Sequence, residues 1–268
     1  MPGLRLSLGV TLLYVGIIVV LPLAALVFKA ASLGPVEYWA IISSPRAVAS
    51  YRVTVLCALA ATLFTTVFGL ALAWVLTRYR FPGWRLVDAI VDLPFALPTA
   101  VAGIALTALF AGNGWFGSAL AHVGIKVAYT PLGIIIAMTF TSLPFIVRTV
   151  QPVLEDLDPA LEEAAQSLGG SDFTIFRKVI LPLLTPAILA GLSLSFARSL
   201  GEFGAIIFIA GNQPFSTEIT ALLVFIRLEE YDYQAAAAIA SVLLITAFVM
   251  LAVTNYLQTR ALRYTVRS

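Results

Sequence analysis

Long runs of apolar residues, separated by short polar segments, divide the chain. A helix that crosses a membrane needs about 20 predominantly apolar residues, and six runs approach or exceed that length. They cover residues 6–28, 53–77, 93–110 and 127–147, a stretch after Pro182 that Arg198 and Glu202 interrupt, and residues 235–256. We therefore predict an all-α membrane protein with six transmembrane helices, in which residues 1–268 form a single transmembrane domain.

The composition supports this assignment. Hydrophobic residues make up 60% of the chain and charged residues 11%, with a mean hydropathy of +0.99, far from the balance of a soluble domain. The net charge of +2 is spread along the chain, so no basic face for nucleic acid is predicted. Cys57 is the single cysteine, and we expect it to be a small buried hydrophobe. The first run is too long for a signal peptide, and more spans follow.

Lysine and arginine are distributed unequally between the two sides of this topology. With the N-terminus inside, the inner segments hold ten of these residues and the outer segments hold five. Because cytoplasmic loops carry an excess of Lys and Arg, both termini are predicted to be cytoplasmic. The same count places the inner loop of residues 149–181 in the cytoplasm.

This inner loop is the most polar part of the chain, and it has helix signals of its own. Asp158 and Pro159 are typical of the N-cap and first position of a helix. Gly169 stands where a left-handed residue would end that helix. An apolar stripe at helical spacing lies between them, formed by Ala160, Leu161, Ala164, Ala165 and Leu168.

A second short helix is predicted at residues 173–180, after a glycine elbow. Thr185 and Pro186 repeat the cap-then-proline pattern, so we expect the fifth span to begin there. Helices this short do not hold together alone in water and need a surface to lie on. That surface is either the chain's own bundle or another protein.

Two stretches of this loop, EAAQSLG at residues 163–169 and VILP at residues 179–182, resemble the EAA loop of permease subunits in binding-protein-dependent ABC importers. The family's usual isoleucine three places before the proline is Val179 here. The resemblance implies a coupling helix that inserts into a cleft of a separate ATPase subunit. A cytoplasmic hairpin packed only on its own bundle is the alternative. The residues that match the loop are Glu163, Ala164, Ala165, Gly169, Leu181 and Pro182.

Three further stretches resemble the permeases of sulfate and thiosulfate importers, with molybdate permeases as the nearest relatives. They are TRYRFPG at residues 77–83, DLPFALPTAVAG at 92–103 and RSLGEFGA at 198–205. The last is shared by both anion groups, so it indicates a tetrahedral oxyanion rather than sulfate alone. The second is most similar to the T-type subunit of the sulfate system.

This resemblance implies one half of a type I importer in the bacterial cytoplasmic (inner) membrane, with both termini in the cytoplasm. It implies a second permease subunit of the W type, two ATPase subunits that bind ATP and magnesium, and a periplasmic sulfate- or thiosulfate-binding protein. No cofactor is implied for this chain. A homodimeric molybdate or tungstate permease is an alternative. An ion-coupled secondary anion transporter is another, although the chain has no visible internal repeat.

The sequence predicts no catalytic site. Residues 112–117 have the first spacing of a phosphate-binding loop, but Ser118 follows where that loop needs lysine. His122 is the only histidine and has no cluster of Cys, Asp or Glu around it, so neither a metal site nor a catalytic triad is expected. We expect ATP hydrolysis to take place on a partner subunit.

A doubly charged oxyanion needs donors or positive potential where its path through the membrane is narrow. Pro94 and Pro98 should interrupt the third span, and a half-helix that starts there would direct its positive end at an anion. Thr99, Thr141 and Ser142 can add hydroxyl donors. Alternatively, the prolines only kink a helix and the hydroxyls bond their own backbone.

Arg198 and Glu202 are the intramembrane charges of the predicted fifth span. Each costs roughly 3 kcal/mol at the centre of a membrane helix, so neither is expected to face lipid. They share one face if the helix continues through Leu200 and Gly201. Two hypotheses remain. The two residues form a buried ion pair or a bridge to a neighbouring permease, or Arg198 contacts the passing anion while Glu202 orients the guanidinium.

Overall fold

A computed structural model describes residues 4–265, and over that range the chain is helical apart from turns and loops. The helices of its first half are α1 (Leu4–Val15), α2 (Leu21–Ala31), α3 (Pro35–Ile42), α4 (Pro45–Arg78), α5 (Trp84–Val91), α6 (Leu93–Ala96), α7 (Thr99–Phe110) and α8 (Trp115–Ala121). Those of its second half are α9 (Pro131–Glu155), α10 (Pro159–Ser167), α11 (Asp172–Ile175), α12 (Leu181–Leu200), α13 (Ile206–Ile209), α14 (Thr220–Glu229) and α15 (Tyr233–Thr265). The predicted all-α class is confirmed.

Five helical segments are long and apolar enough to cross a membrane. They are Leu6–Ala31, Pro45–Arg78, Pro131–Glu155, Asp172–Leu200 and Tyr233–Arg260. A bent pair, α7 followed by α8, passes the same test with 41° between its two helices. The chain therefore has five continuous candidate spans, and six when the bent pair counts as one span, as the sequence predicts.

The third predicted span, residues 93–110, is not one helix. Leu97 is extended, with φ −84° and ψ 131°, and separates α6 from α7, which begins at Thr99. Pro98 is the physical reason, because proline disfavours helical backbone at the residue before it and has no N–H to donate. The half-helix start is confirmed, but the span that it opens continues into α8.

The fourth and fifth spans also differ from their predicted boundaries. The fourth helix begins at Pro131 rather than Val127 and continues to Glu155. The fifth does not begin at Thr185, because α11, a π-helical turn and α12 form one segment over Asp172–Leu200. The predicted second loop helix is therefore the first part of this span rather than a separate element.

Local adjustments let the fifth span continue through its prolines. The N–H of Leu181 donates to the Phe176 carbonyl five residues back, and this π-helical turn widens the helix just before Pro182. The wider turn relieves the clash between a proline ring and the preceding turn of helix. Thr185 donates its hydroxyl to the Leu181 carbonyl at 2.8 Å instead of capping a helix, and Pro186 lies in the helix interior.

The parallel helices α4 and α9 form the centre of the bundle, and α12 packs on both. Cys57 lies beside the Pro131 carbonyl, 3.8 Å from Sγ to O, and Gly69 lies against Ile146. A Cβ added to Gly69 would meet Ile146 Cγ2 at 2.8 Å. Small residues at such crossings let helix backbones approach closely in membrane proteins.

The end of the bundle that holds α10 is called the loop end here, and the opposite end the far end. A buried apolar cluster that includes Leu184 joins α4, α9 and α12 at the loop end. A second cluster, which includes Met138 and Phe196, joins the same helices toward the far end. There α2 ends and α15 begins, with the Gln234 amide donating to Ser32 Oγ at 3.1 Å.

Candidate functional site

Helix α10 begins and ends where the sequence predicts. Asp158 has an extended backbone, and its Oδ1 accepts a hydrogen bond from the Ala160 N–H at 2.9 Å, which caps the helix. Pro159 occupies the first helical position. The helix ends at Ser167, and Gly169 has a φ of +81°, in the left-handed region. The predicted short helix and its glycine elbow are confirmed.

An ion pair and a set of aromatic contacts join α10 to the end of α4. Arg78 forms the ion pair with Glu162. The Arg78 guanidinium also lies 5.0 Å from the centre of the Trp74 ring, and Trp74 packs edge-on against Phe176 with 5.5 Å between ring centres. These contacts connect the loop helix, the end of the chain's second span and the first part of its fifth span.

The outward side of α10 is left uncovered by the described part of the chain. Glu163 and Ala164 are exposed, and Leu168 at the glycine elbow is 89% exposed. Phe173, a few residues later, is 70% exposed. Large apolar side chains exposed next to polar ones are typical of a surface that binds a partner.

The predicted apolar stripe of α10 is divided between two faces. Ala165 packs against the loop-end cluster, whereas Leu161 and Ala164 are exposed. Leu181 is half-buried and Pro182 is exposed, and both lie in the continuous fifth helical segment rather than in the loop. The structure thus keeps the first four matched residues together around α10 and assigns the last two to a spanning helix.

Gly170 is a loop residue that the sequence analysis did not single out. A Cβ at this position would lie 2.9 Å from the Ala165 carbonyl oxygen and 3.2 Å from Ile175 Cγ1. The second glycine of the elbow is therefore needed for close packing, whereas Gly169 is needed for its positive φ. A pair of adjacent glycines at a helix end was the sequence signal for this role.

The stretches DLPFALPTAVAG and RSLGEFGA, distant in sequence, pack against each other. A Cβ added to Gly103 would lie 2.7 Å from the Ala205 Cα, and one added to Gly204 would overlap the Thr99 side chain. Gly103 therefore permits a close approach to the Ala205 backbone, and Gly204 leaves room for the Thr99 side chain. The contact joins α7 to the turn that follows α12.

Two of the predicted path residues lie at the start of α7. Thr99 is the first residue of this helix and is half-exposed, while Pro98 is the N-cap and is exposed. Pro94 is half-exposed in the short helix α6. Helix N-termini carry unsatisfied N–H groups and a partial positive charge, so this position can attract an anion.

The predicted hydroxyl donors of α9 lie inside the chain. Ser142 is fully buried, with Oγ 3.4 Å from Thr65 Oγ1 on α4. Thr141 is 3% exposed and donates to the Met138 carbonyl at 3.2 Å. Thr141 therefore bonds its own backbone, as one of the two interpretations of these hydroxyls expects. Ser142 instead contacts a hydroxyl of a neighbouring helix.

Arg198 and Glu202 form an ion pair around a helix end. Helix α12 stops at Leu200, so the condition for a shared helix face, a helix that continues through Gly201, is not met. Arg198 Nη1 nevertheless lies 2.7 Å from Glu202 Oε2. Glu202 is 1% exposed, and its other oxygen accepts the Ala205 N–H at 2.8 Å. The turn after α12 brings the carboxylate back to the arginine.

The two partners of this pair differ in their surroundings. The Arg198 side chain is 30% exposed, and within the described residues the guanidinium donates no well-aligned hydrogen bond. The carboxylate is held from both sides, by charge and by a backbone N–H. The guanidinium therefore keeps donors available at a partly open surface, which suits a transient contact with an anion.

A charge cluster that the sequence analysis missed connects α9 to α5 and α6. Arg148 donates through Nε and Nη2 to the two oxygens of Asp92, both at 2.8 Å. It also donates through Nη1 to Asp88 Oδ1 at 2.6 Å and to Gln151 Oε1 at 2.7 Å. The available signals were two aspartates four residues apart, Asp88 and Asp92, and a lone basic residue, Arg148, at the end of another predicted span.

A second missed pair lies at the far end. Arg46, near the start of α4, donates through Nε and Nη2 to the two oxygens of Glu218, at 2.8 and 2.6 Å. Glu218 is 2% exposed, and the bidentate pair with Arg46 compensates the buried negative charge. It joins α4 to the segment just before α14.

The chain is similar to known transport proteins along most of its length. Residues 65–263 match the family model described as binding-protein-dependent transport system inner membrane component. The sulfate transport system permease proteins CysT of Salmonella typhimurium and of Escherichia coli are each 57% identical over 260 residues. In both cases the match covers 97% of this chain and 94% of the relative.

The fold has a solved counterpart. It matches a chain in the crystal structure of a bacterial alginate ABC transporter in complex with its alginate pentasaccharide-bound periplasmic protein. The TM-score is 0.78 over 96% of this chain and 94% of that chain, at 19% sequence identity. The match shows a shared fold. By its sequence and its architecture, this membrane protein belongs to the family of binding-protein-dependent transport system inner membrane components.

Proposed function

We propose that this chain is the T-type permease subunit of an ATP-driven importer that carries sulfate, and thiosulfate with it, into the cell. The observation that carries the proposal is the match over 97% of the chain to permeases of sulfate transport systems. The geometry fits this role, because a helix start and a partly exposed arginine lie within two motifs that pack together.

Coupling to ATP hydrolysis takes place through α10. Its outward side presents Glu163, Ala164 and Leu168, a mixed surface that suits insertion into a cleft of an ATPase subunit. The Arg78–Glu162 ion pair passes movement of α10 to the end of α4. ATP and magnesium bind to the two ATPase subunits, and this chain supplies no catalytic group.

The anion path includes the start of α7 and Arg198, at the end of α12. Thr99 and the first N–H groups of α7 offer donors, and Arg198 offers positive charge. Pro94 and Pro98 create the break that exposes this helix start. Ser142 is not part of this path, because its hydroxyl is buried between α9 and α4.

The loop end faces the cytoplasm of a bacterial inner membrane, as the excess of Lys and Arg on that side favours. The far end then meets a periplasmic sulfate-binding protein. A second permease subunit, a W-type paralogue, completes the path. Helix α1 is compatible with such pairing, since side chains such as Leu6, Leu12 and Tyr14 are more than half exposed.

Uptake of radiolabelled sulfate tests the proposal. The chain is expressed with its ATPase, paralogue and binding protein in cells whose own sulfate importers are deleted, and an ATPase variant unable to hydrolyse ATP is the control. We expect ATP-dependent uptake that excess thiosulfate inhibits. Molybdate uptake without sulfate uptake would contradict the substrate, and uptake that needs an ion gradient but not ATP would contradict the mechanism.

A further inference from the structure

Two arginines flank one tryptophan at the turn between α4 and α5. The stretch TRYRFPG covers the last two residues of α4 and this turn, and Gly83 ends it with a φ of +86°. The Arg80 guanidinium carbon lies 4.0 Å from the centre of the Trp84 ring, and that of Arg85 lies 5.7 Å from it. Both arginines are exposed, while the indole is half-buried. We call Arg80, Trp84 and Arg85 the turn cluster.

Within the part of the chain that the structure describes, no carboxylate neutralises the positive charge of the turn cluster. Among residues 4–265, neither Arg80 nor Arg85 has a carboxylate oxygen within 4.0 Å. The neighbouring acidic side chain, Asp88, is already bound by Arg148. Nearby Arg78, by contrast, is paired with Glu162. Two guanidinium groups are therefore left to bind an anion from outside the chain.

The turn cluster also lies next to the end of a candidate membrane span. It follows directly on the last turn of the candidate span Pro45–Arg78. Helix α5 buries Val91 in the loop-end cluster, whereas Leu86 and Ile90 of the same helix are 66% and 54% exposed. These two residues are four apart and share a face. Basic groups, an indole and an apolar face in one short helix are typical of an element in the lipid interface.

We propose that the turn cluster binds the phosphate of an anionic phospholipid headgroup, with Leu86 and Ile90 against its acyl chains. Guanidinium groups bind phosphate oxygens through paired N–H donors, and the Trp84 ring holds both groups in position by cation–π contact. The lipid would anchor α5, whose Asp88 and Asp92 fix Arg148 of α9. The site does not depend on which oxyanion the chain carries.

The experiment measures phosphatidylglycerol bound to the purified, delipidated permease complex by native mass spectrometry. Wild type is compared with the Arg80→Gln/Arg85→Gln double variant and with the control variant Arg52→Gln. Arg52 is exposed in the first turns of α4, at the far end of the bundle, and has no ion pair within the described residues. One basic residue near an anionic membrane surface changes binding about fivefold. We expect the double variant to bind phosphatidylglycerol up to about 25-fold more weakly, and Arg52→Gln to bind as wild type does.

Unchanged phosphatidylglycerol binding in the double variant would overturn the proposal. If that variant also loses the ATPase subunits or the second permease, the turn cluster is a protein contact instead. If the double variant does not accumulate, the wild-type complex is compared with Trp84→Phe in brominated lipids. We expect brominated phosphatidylglycerol to quench the Trp84 fluorescence more than brominated phosphatidylcholine, by a margin that salt reduces. Equal quenching by the two lipids refutes the site.

Discussion

Arg78, the last residue of α4, forms an ion pair with Glu162 in the middle of α10. Among the described residues, this ion pair joins the loop helix α10 to the spanning helix α4. Because Arg78 also lies over Trp74, its guanidinium is held on two sides. A force applied to α10 by a bound partner would therefore reach the second span directly.

Replacing Arg78 with glutamine should weaken coupling more than folding. Both side chains of the pair are about a quarter exposed, and such partly exposed pairs contribute about 0–1 kcal/mol. We expect sulfate uptake to fall about two- to fivefold while the amount of assembled complex stays near wild type. Arg177→Gln, an exposed arginine with no ion pair within residues 4–265, is the matched control. Wild-type uptake in both Arg78→Gln and Glu162→Gln would show that the pair has no part in coupling.

Gly169→Val should abolish ATP-driven uptake and leave the spans inserted. The residue has a φ of +81° with no atom near an added Cβ, so the penalty is backbone strain rather than a clash. A β-branched residue in this region costs about 1 kcal/mol or more, enough to misplace a short helix. Gly34→Val, at another glycine with open space but a φ of −64°, serves as control. Co-purified ATPase and uptake at wild-type levels would show that this glycine is not needed for coupling.

Gly103→Ala should destabilise the contact between α7 and the turn after α12. The added Cβ would meet the Ala205 backbone, which cannot move aside as a flexible side chain does. Overpacking of this kind costs about 1–3 kcal/mol, so the melting temperature of the purified complex should fall. Gly112→Ala, where nothing lies within 4 Å, should leave it unchanged. Equal melting temperatures for the two variants would mean that the close approach does not exist in the assembled protein.

Variants of Arg198 and Glu202 separate an ion pair from an anion contact. If the pair is structural, Arg198→Ala and Glu202→Ala each lower the yield of complex, and the double variant recovers part of it, because no charge is left unpaired. If Arg198 contacts the anion, Arg198→Ala keeps its yield and loses uptake, and removing Glu202 as well brings no recovery. The 30% exposure of the arginine favours the second result. Normal uptake in all three variants would contradict both hypotheses.

Arg148→Gln should destabilise the loop end, and Arg148→Lys, which keeps the positive charge, should destabilise it too. The guanidinium donates to Asp88, Asp92 and Gln151 at once, a geometry that one ammonium group cannot reproduce. Its loss also leaves two carboxylates close together with no cation between them. We expect both variants to lower the melting temperature of the complex by several degrees. A lysine variant as stable as wild type would show that charge alone is sufficient.

Local signals in the sequence were enough to predict the parts that depend on a few neighbouring residues. The cap at Asp158, the left-handed Gly169 and the helix start after Pro98 are each set by backbone geometry that one residue type imposes. The number of spans follows from apolar length alone. The sequence by itself therefore determined the class of fold, the loop helix and the break in the third span.

Only the tertiary structure decided where long-range contacts overrule those signals. Thr185 and Pro186 look like a helix start, yet the π-helical turn before Pro182 lets the fifth span run through them. Ser142 could not be assigned to a path or to the core without knowing that α4 lies beside it. Packing decides such cases, because an apolar face buried along a whole helix outweighs the preference of one capping residue.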